Sequence, residues 1–360
     1  MRFGWRRFVL MSLGGFAIIL AALAIFILLM NPYSNLPRLL FSEHVITDIN
    51  QRFQYPALVR SKRYDSAVIG ASDARLLHPD DLEQVFGGEF VNLAMNAGQA
   101  YEQYRLADLF IREVETPRTL LIGLDHVWCD DDTDLERVTF RGFPEWMYDN
   151  DWRNDLPYML NNKAIEIGGR RLRQALGFRE PRFIDGYEVF TPPESAYDRE
   201  KVKAKLWKGK SPGRKEAQVP PYAATHEQRA AWRYPALTWL DDIMGRFPGR
   251  EVLAYMPAHI GFQPQPGSGK AARLEECKAR IAEIARRHKA VFVDFNIPSE
   301  ITTNDDNYWD PLHYRLPIAE RIVTDIEVAM GTGQDDSDGD YRYLAGPAAG
   351  TASPPLGRSR

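Results

Sequence analysis

The sequence has little cysteine and no excess of positive charge. Cys129 and Cys277 are the only cysteines among 360 residues, and their spacing is not one that binds zinc. In an oxidising compartment the two thiols could pair, but the sequence leaves that open. The formal net charge is −4, so a basic face for nucleic acid is not indicated and we expect no nucleic-acid partner.

The sequence also lacks a second long apolar run. Its one such run covers residues 8–30. This run contains no charged residue. At about 1.5 Å per residue, a helix of this length crosses the roughly 30 Å hydrocarbon core of a bilayer. The apolar region of a cleaved signal peptide, which is the alternative, covers only about 7–15 residues. We therefore predict a single transmembrane anchor over residues 8–30, after a stub of residues 1–7.

Charge around this run predicts its orientation. Arg2, Arg6 and Arg7 precede it, whereas the five residues after it, Asn-Pro-Tyr-Ser-Asn, are neutral. By the positive-inside rule, the stub lies in the cytoplasm and everything after Met30 lies on the other side. We expect a single-pass protein of a bacterial inner membrane whose main domain is periplasmic or otherwise extracytoplasmic.

Short apolar runs alternate with helical patterns between residues 63 and 330. The predicted strands are residues 66–70, 90–94, 119–124, 251–256 and 290–295. The predicted helices are residues 99–114, 226–247, 270–288 and 317–330. This alternation predicts an α/β fold, with a parallel sheet covered by helices on both faces.

Three other regions differ in character from this domain. Residues 31–62, which contain three prolines, predict a connector. Residues from about 129 to 225 combine an acidic cluster, aromatic segments and a basic segment, and they predict an insertion or lid with some helix at 163–176. Residues 331–360 are rich in Gly, Asp, Ser and Pro, and they predict a disordered tail.

Polar residues follow the predicted strands at their carboxyl ends, where doubly wound sheets bind ligands. Ser72 follows the first strand, and the motif Asp310-Pro-Leu-His313 precedes the last helix. A serine hydroxyl becomes a good nucleophile when an imidazole takes its proton and a carboxylate orients that imidazole. We predict Ser72 as nucleophile, His313 as base and Asp310 as orienting group. The alternative roles are a helix cap for Ser72 and a turn residue for Asp310.

Donors for a developing oxyanion are expected in the same place. The backbone amides of Ser72 and Gly98 are the first candidates, because glycine lets the main chain approach closely. Asn92 and Asn96, in the segment after the second strand, are additional candidates.

Two arginines lie beside the predicted site residues in the sequence, and one histidine follows a predicted strand. Arg75 and Arg315 are candidates for binding an anionic sugar or for ordinary salt bridges. His259 follows the fourth strand and either lines the pocket or is a structural histidine. We expect neither a metal nor a cofactor, because Asp125-His126 and the acidic cluster beyond it lack regular ligand spacing.

The order of these motifs resembles the SGNH (GDSL-like) hydrolase superfamily. Its members carry a Ser after the first strand, a Gly after the second, an Asn after the third and D-x-x-H near the C-terminus. The resemblance spans residues 64–330 apart from the insertion, and it implies a three-layer α/β/α sandwich with a flavodoxin-like sheet. Residues 68–72 (VIGAS), 92–98 (NLAMNAG) and 121–125 (LIGLD) are similar to the membrane-anchored branch that includes alginate O-acetylation proteins and the D-alanyl transfer protein of lipoteichoic acid modification.

Two positions depart from the superfamily pattern. An alanine precedes Ser72 where the pattern is Gly-Asp-Ser, and Asp125 stands where the pattern has an oxyanion-binding Asn. An ionised Asp125 accepts hydrogen bonds and would repel an oxyanion. Either Asp125 has another role, or Asn92 or Asn96 supplies the donor, or activity is altered.

The resemblance implies an extracytoplasmic, serine-dependent O-acyl transferase or esterase, in particular an O-acetyl one. Its acceptor would be a cell-surface or secreted polysaccharide, and a multispanning membrane O-acyltransferase would supply the acyl group. Aromatic residues in the insertion suit a carbohydrate partner, namely Trp146, Tyr148, Trp152 and Tyr158. The alternatives are a catalytically silent glycan-binding or scaffold protein of an export complex, and a lipase or thioesterase.

Overall fold

The computed structural model describes residues 4–34, 50–131, 136–178, 185–208 and 216–347. The α-helices are α1 Trp5–Met30, α2 Tyr55–Val59, α3 Pro79–Phe86, α4 Ala100–Glu113, α5 Trp152–Met159, α6 Asn162–Ala175, α7 Arg199–Trp207, α8 His226–Ala231, α9 Leu237–Arg246, α10 Gly269–His288, α11 Glu300–Thr303 and α12 Leu316–Thr332. The strands are β1 Ser66–Gly70, β2 Phe90–Asn92, β3 Thr119–Leu124, β4 Arg250–Tyr255, β5 Val291–Asp294 and β6 Arg342–Ala345. Short 3-10 helices are Gln51–Phe53, Ala74–Leu76, His126–Cys129, Glu145–Tyr148, Glu194–Ala196 and Asp305–Asn307.

The chain forms two compact units. The first consists of Met1–Ser61 and Pro144–Ile184, and the second of Lys62–Phe143 and Asp185–Arg360. The sequence placed one insertion at about 129–225, whereas the structure joins only Pro144–Ile184 to the unit that contains α1. The remainder of that region belongs to the unit with the sheet.

The first unit contains the apolar N-terminal helix. Helix α1 is long and apolar enough to cross a membrane, as the sequence predicted. Most of its large apolar side chains are exposed, among them Phe8, Leu13, Ile18 and Ile25. Such exposure is unfavourable in water and is matched by a hydrocarbon environment.

The second unit is built on a six-stranded, mostly parallel sheet, which confirms the predicted α/β class. The strand order is β2-β1-β3-β4-β5-β6, and only β6 is antiparallel to its neighbour. Gly70 pairs with Gly123, and Leu124 pairs with Tyr255. The carboxyl ends of β1 and β3 therefore lie side by side, and so do those of β3 and β4.

The strands are buried on both faces, which explains their continuous apolar sequences. Every residue of β1 and β3 is buried. Successive side chains point to opposite faces, and the set containing Val68, Leu121 and Val252 joins a core cluster with α3, α7 and α12.

One predicted helix, residues 226–247, is divided in the structure into α8 and α9. Pro235 lies between the two helices. Proline lacks the amide hydrogen of a helix interior and its ring clashes with the preceding turn, so a single helix through this position is disfavoured. The single-helix prediction is therefore wrong.

The segment 331–347, which the sequence assigned to a disordered tail, contains β6. Asp294 of β5 is fully buried, and its Oδ2 accepts hydrogen bonds from Lys278 Nζ and Arg342 Nη2, both at 2.9 Å. A buried carboxylate needs cationic partners, and Arg342 supplies one from the tail itself. Residues 348–360 of that prediction lie outside the described residues, as do 35–49 of the predicted connector and 132–135, 179–184 and 209–215 of the predicted insertion.

Glu251 on β4 makes a testable contribution to pH-dependent stability. The residue is buried, and its Oε1 has no hydrogen-bond partner among the described residues. Burial raises the pKa of Glu251 from 4.5 to about 8. The pKa of Glu251 is higher in the folded state than in the unfolded state. The folded protein is therefore most stable below pH 4.5, where Glu251 is neutral in both states, and it loses stability as the pH rises toward 8.

We expect Glu251→Gln to remove this loss. At pH 8 the unfolding free energy of the variant should exceed that of the parent protein by roughly 1–3 kcal/mol, so the variant should unfold at a higher temperature. This difference in unfolding free energy should disappear at pH 4.5. Thermal unfolding of both proteins across this pH range measures it. A difference that is independent of pH would show that the pKa of Glu251 is the same in the folded and unfolded states, which would contradict the raised pKa.

Candidate active site

The turn that carries Ser72 lies directly on the strand ends, because two glycines leave room for it. A Cβ at Gly70 would lie 2.6 Å from the Cβ of Ala74, and a Cβ at Gly123 would lie equally close to the same atom. Real side chains at either position would push the turn away from the sheet. Ser72 is held between β1 and the 3-10 helix that begins at Ala74. The cap of that helix is Asp73, whose carboxylate accepts from the Ala74 amide at 2.9 Å, so Ser72 is not used as the cap.

Three predicted residues meet at this turn. Ser72 Oγ lies 2.8 Å from Nε2 of His313, and His313 Nδ1 lies 2.8 Å from Oδ2 of Asp310. With Nδ1–H donating to the carboxylate, Nε2 is left to accept the serine proton, a tautomer that we assign from the hydrogen-bond network. The arrangement has the connectivity of a serine nucleophile, a general base and an orienting carboxylate.

Asp310 acts both as a turn residue and as a partner of the imidazole. Its Oδ1 accepts from the backbone amides of Leu312 at 3.0 Å and His313 at 3.1 Å, and Oδ2 is left for the ring. Burial by itself would raise the pKa of Asp310, but the hydrogen bond and charge of His313 and the two amides outweigh it and lower the pKa below its usual value. Asp310 is therefore ionised at neutral pH, as the orienting role requires.

The imidazole is also held by a cluster that the sequence did not predict. Phe190 contacts the ring of His313 edge-on at 5.1 Å, and the guanidinium of Arg75 lies over Phe190 at 4.7 Å. Arg75 donates to Asn96 Oδ1 at 2.6 Å and to Glu188 Oε2 at 2.7 Å. Arg75 is only 1% exposed, so it supports the site from within instead of facing a sugar. Phe190 and Glu188 belong to no motif, and only their proximity in the fold identifies them.

Of the two backbone amides predicted to bind an oxyanion, those of Ser72 and Gly98, one is available in the structure. The amide of Gly98 donates to the carbonyl of Met95 at 3.1 Å, and it is therefore occupied in this structure. Within the described ranges, the amide of Ser72 has no hydrogen-bond partner. Ser72 thus combines a hydroxyl that contacts an imidazole with an available N–H beside it.

Asn92 has a structural role in place of the predicted donor role. Its Nδ2 donates to the carbonyls of Ala74 at 3.0 Å and Leu77 at 2.8 Å, and its Oδ1 accepts from the amide of Ala94 at 3.0 Å. Only 1% of the residue is exposed. Asn92 therefore ties the end of β2 to the turn that carries Ser72, and its side-chain donors are engaged there.

Asp125, directly after β3, interacts electrostatically with Asp73. Each of these carboxyls is about 9% exposed, and Asp125 accepts from the amide of Val127 at 3.0 Å. Burial raises the pKa of both groups, and the charge of Asp125 raises that of Asp73 further. The pair therefore holds a proton more tightly than isolated carboxyls do, and a protonated carboxyl is able to donate a hydrogen bond.

A cavity of about 400 Å³ is lined by chain neighbours of Ser72 and His313, whereas Ser72, Asp310 and His313 are not themselves part of its lining. Its wall includes Asp73, the neighbour of the nucleophile, and Leu312, the neighbour of the base. Asp125 and the apolar Phe262 line it, and Arg273 adds positive charge. Its size and mixed lining are typical of a small-molecule site. Among the described residues, no group of three or more His, Cys, Asp or Glu side chains is placed to hold a metal ion.

His259 lies outside this cavity lining and is a structural histidine. It is fully buried, and its Nε2 lies 2.9 Å from Asp305 Oδ1. Its Nδ1 accepts from the amide of Gly261 at 3.1 Å, and the ring packs edge-on against Trp207 at 5.1 Å. Of the two predicted roles, pocket lining and structural packing, the contacts favour the second.

Arg315 is likewise committed to neighbouring protein groups. Its Nε donates to Glu194 Oε2 at 2.7 Å, and its Nη1 donates to the carbonyl of Asp306 at 2.8 Å. The guanidinium also lies over the ring of Tyr197 at 4.2 Å. These contacts favour the salt-bridge role over the binding of an anionic sugar.

Cys129 and Cys277 form a disulfide. It joins the 3-10 helix that follows Asp125 to helix α10, and Cys129 itself lines the cavity. The bond therefore connects one wall of the cavity to a helix 148 residues later in the chain.

Comparison with known proteins identifies no relative of the chain. No family model, curated protein or solved structure matches it.

Proposed function

We propose that the protein is a serine-dependent O-acyltransferase or esterase whose acceptor is a hydroxyl group of a cell-surface or secreted polysaccharide. The observation that carries this proposal is the hydrogen-bonded series from Ser72 through His313 to Asp310. Acyl transfer needs a nucleophile, a base and an orienting carboxylate, and these residues have the required chemistry.

In the first half of the reaction, Ser72 Oγ attacks the acyl carbonyl while His313 Nε2 takes its proton. Asp310 stabilises the resulting imidazolium, and the Ser72 amide donates to the oxyanion. The imidazolium then protonates the departing group, which leaves an acyl ester on Ser72.

In the second half, His313 takes the proton of an incoming hydroxyl. The oxygen of that hydroxyl attacks the acyl-serine carbonyl, and the proton returns to Ser72 Oγ as the ester breaks. A sugar hydroxyl as acceptor gives transfer, and water as acceptor gives hydrolysis. Exclusion of water from the acyl-enzyme decides between the two outcomes.

The proposal includes membership of the SGNH (GDSL-like) superfamily with a three-layer α/β/α arrangement. The strand order β2-β1-β3-β4-β5 supports it, because flavodoxin-like sheets have this order. Strands buried on both faces and the D-x-x-H motif before the last long helix are further support.

An extracytoplasmic location in a bacterial inner membrane is part of the same proposal. Helix α1 has the length and composition of an anchor, and arginines precede its apolar run. The disulfide supports an oxidising compartment, because such bonds persist mainly outside the cytoplasm. A membrane-anchored enzyme of this kind would receive acyl groups from a multispanning membrane O-acyltransferase and pass them to a polysaccharide.

The test is to look for an acyl-enzyme in the full chain, purified in detergent and mixed with an activated acetyl ester. We expect ester turnover and, after acid quenching, one acetyl group on the peptide that contains Ser72. A matched sample of Ser72→Ala should carry no adduct on that peptide. If the folded parent protein shows no turnover and forms no adduct, the proposal is overturned.

The second candidate function is a catalytically silent protein that binds glycan or scaffolds an export complex. The observation that favours it is the Gly98 amide, which is engaged by Met95 and does not face an oxyanion. Glycan binding by a protein that forms no acyl-enzyme would support this function.

Asp125 provides a further prediction about the proposed reaction. We expect Asp125→Asn to keep at least a substantial part of the activity, because the amide retains the hydrogen bond to Val127 and is neutral, as a protonated carboxyl is. Since burial raises the pKa of both carboxyls, the parent protein should lose activity with rising pH as the pair ionises.

Esterase activity of the parent protein and Asp125→Asn is measured against pH. We expect the loss of activity with rising pH to be smaller in the variant. If Asp125→Asn is inactive at every pH although it is folded, the reaction needs the carboxylate itself, and Asp125 has another role.

A further inference from the structure

Helix α6 packs against the last turns of α1. A Cβ at Gly168 would lie 3.0 Å from Phe26 Cε1 and 3.4 Å from Met30 Cβ, so glycine allows this close approach. Arg171 Nη1 donates to the carbonyl of Met30 at 3.1 Å and also to that of Asn31. These carbonyls belong to the C-terminal end of α1, where helices have unsatisfied acceptors. Helix α6 therefore lies at the level where the apolar helix ends.

A second side of α6 carries exposed apolar residues. Ile165, Leu172 and Leu176 are 38%, 37% and 60% exposed, and their spacing of seven and four residues aligns them along one side of the helix. Leu160 before the helix and Phe178 after it are 58% and 80% exposed. We call these five residues the apolar stripe. It is distinct from the side that contacts α1.

The remaining side of α6 is charged and mainly basic. Lys163, Arg170 and Arg173 lie there with one acidic residue, Glu166, which pairs with Lys163 at 3.3 Å and also with Arg170. A helix with an apolar side and a basic side suits the boundary between lipid headgroups and acyl chains, particularly where the lipids are anionic.

Aromatic rings cluster at the same end of α1. Tyr33, three residues beyond the helix, contacts Trp146 edge-on at 5.3 Å, and Trp146 stacks on Tyr158 at 5.3 Å. Phe53 lies 5.7 Å from Tyr33, and Tyr33 donates to Asn161, the cap of α6. Tyrosine and tryptophan are enriched where a membrane meets water. Tyr33 is fully buried and Tyr158 is half exposed, and through the hydrogen bond from Tyr33 to Asn161 this cluster holds the start of α6 beside the end of α1.

We propose that α6 lies in the interfacial layer of the bilayer, with the apolar stripe inserted among the lipids beside the end of α1. The occupant of the stripe is the phospholipid surface, because the stripe is continuous with the helix that spans the membrane. The chain then holds the bilayer by two elements, a spanning helix and a surface helix. This inference depends on the membrane role of α1 and is independent of the proposed acyl chemistry.

The first test uses the unmodified full chain in vesicles of phosphatidylethanolamine and phosphatidylglycerol that contain a photoactivatable phospholipid. After irradiation, digestion and mass spectrometry, we expect lipid adducts on α1 and also on residues 160–178. Adducts on α1 without any on 160–178 would overturn the proposal. Adducts on neither would overturn both the surface helix and the anchor.

The second test measures depth with one probe on each side of α6. Leu176→Cys and Lys163→Cys are labelled separately with an environment-sensitive fluorophore in the same vesicles, since both native cysteines are in the disulfide. The label at 176 should be several-fold less accessible to a water-soluble quencher than the label at 163, and more accessible to a lipid-borne one. Equal accessibility to both quenchers would place the apolar stripe outside the lipid.

Discussion

Ser72→Ala and His313→Ala are each expected to reduce acyl-ester turnover by roughly 10⁴–10⁶-fold, with the folded state preserved. The 2.8 Å contact between Ser72 Oγ and His313 Nε2 means that either substitution removes the same proton transfer. The double variant should therefore be little worse than either single one, because residues that act as a unit are strongly non-additive. Steady-state turnover of an activated acetyl ester, with circular dichroism as a check on folding, measures these effects.

Asp310→Asn should have a smaller but still large effect, roughly 10³–10⁴-fold in turnover. The amide keeps the turn but holds the ring of His313 in the wrong tautomer for accepting the serine proton. The matched control is His288→Ala, which removes a histidine–aspartate pair at the end of α10, where His288 Nε2 lies 2.7 Å from Asp241. Turnover in that control should be unchanged. A folded Ser72→Ala protein that keeps the parent rate would exclude the serine mechanism.

Removal of the disulfide by Cys129→Ser with Cys277→Ser should be the largest single effect on stability. The bond closes a segment of 148 residues, and loops of this size are expected to contribute roughly 2–5 kcal/mol by restricting the unfolded chain. Cys277 is fully buried in α10, so the substitution also places a hydroxyl in an apolar environment. Chemical denaturation of the full chain in detergent measures the loss.

Reductant provides the control for this prediction. Dithiothreitol should lower the stability of the parent protein toward that of the double variant, and it should leave the variant unchanged. If the parent and the double variant unfold at the same denaturant concentration, the bond makes no net contribution.

The class of fold follows from patterns that are local in sequence. The runs that became β1, β3 and β4 contain four or five consecutive apolar residues or glycines, and parallel strands covered on both faces require such runs. Where the prediction differs, a non-local or single-residue effect is responsible. Pro235 divides α8 from α9. Strand β6 pairs with β5, and its Arg342 reaches the buried carboxylate of Asp294, 48 positions away in the sequence.

The site was predictable in its chemistry but not in its supporting contacts. Ser72 was identifiable because it follows a recognisable strand, and the D-x-x-H motif because it precedes a recognisable helix. The carboxyl ends of parallel strands lie at one edge of the sheet, which is where ligands bind. Whether Gly98 offers its amide depends on a turn that returns it to Met95, and no residue pattern specifies that turn. The support of His313 by Phe190 arises between residues 123 positions apart in the printed sequence.

The sequence by itself determined the apolar helix α1, the alternation of strands and helices, and the residue types of the candidate triad. These depend on composition and short-range periodicity, which each segment carries alone. Only the tertiary structure decided that Cys129 bonds Cys277, that Asn92 and His259 are structural, that Arg75 is buried beneath the site, and that α6 lies against the end of α1. In each of these cases the outcome depends on which distant group satisfies a buried polar or apolar surface, and that partner exists only once the chain has folded.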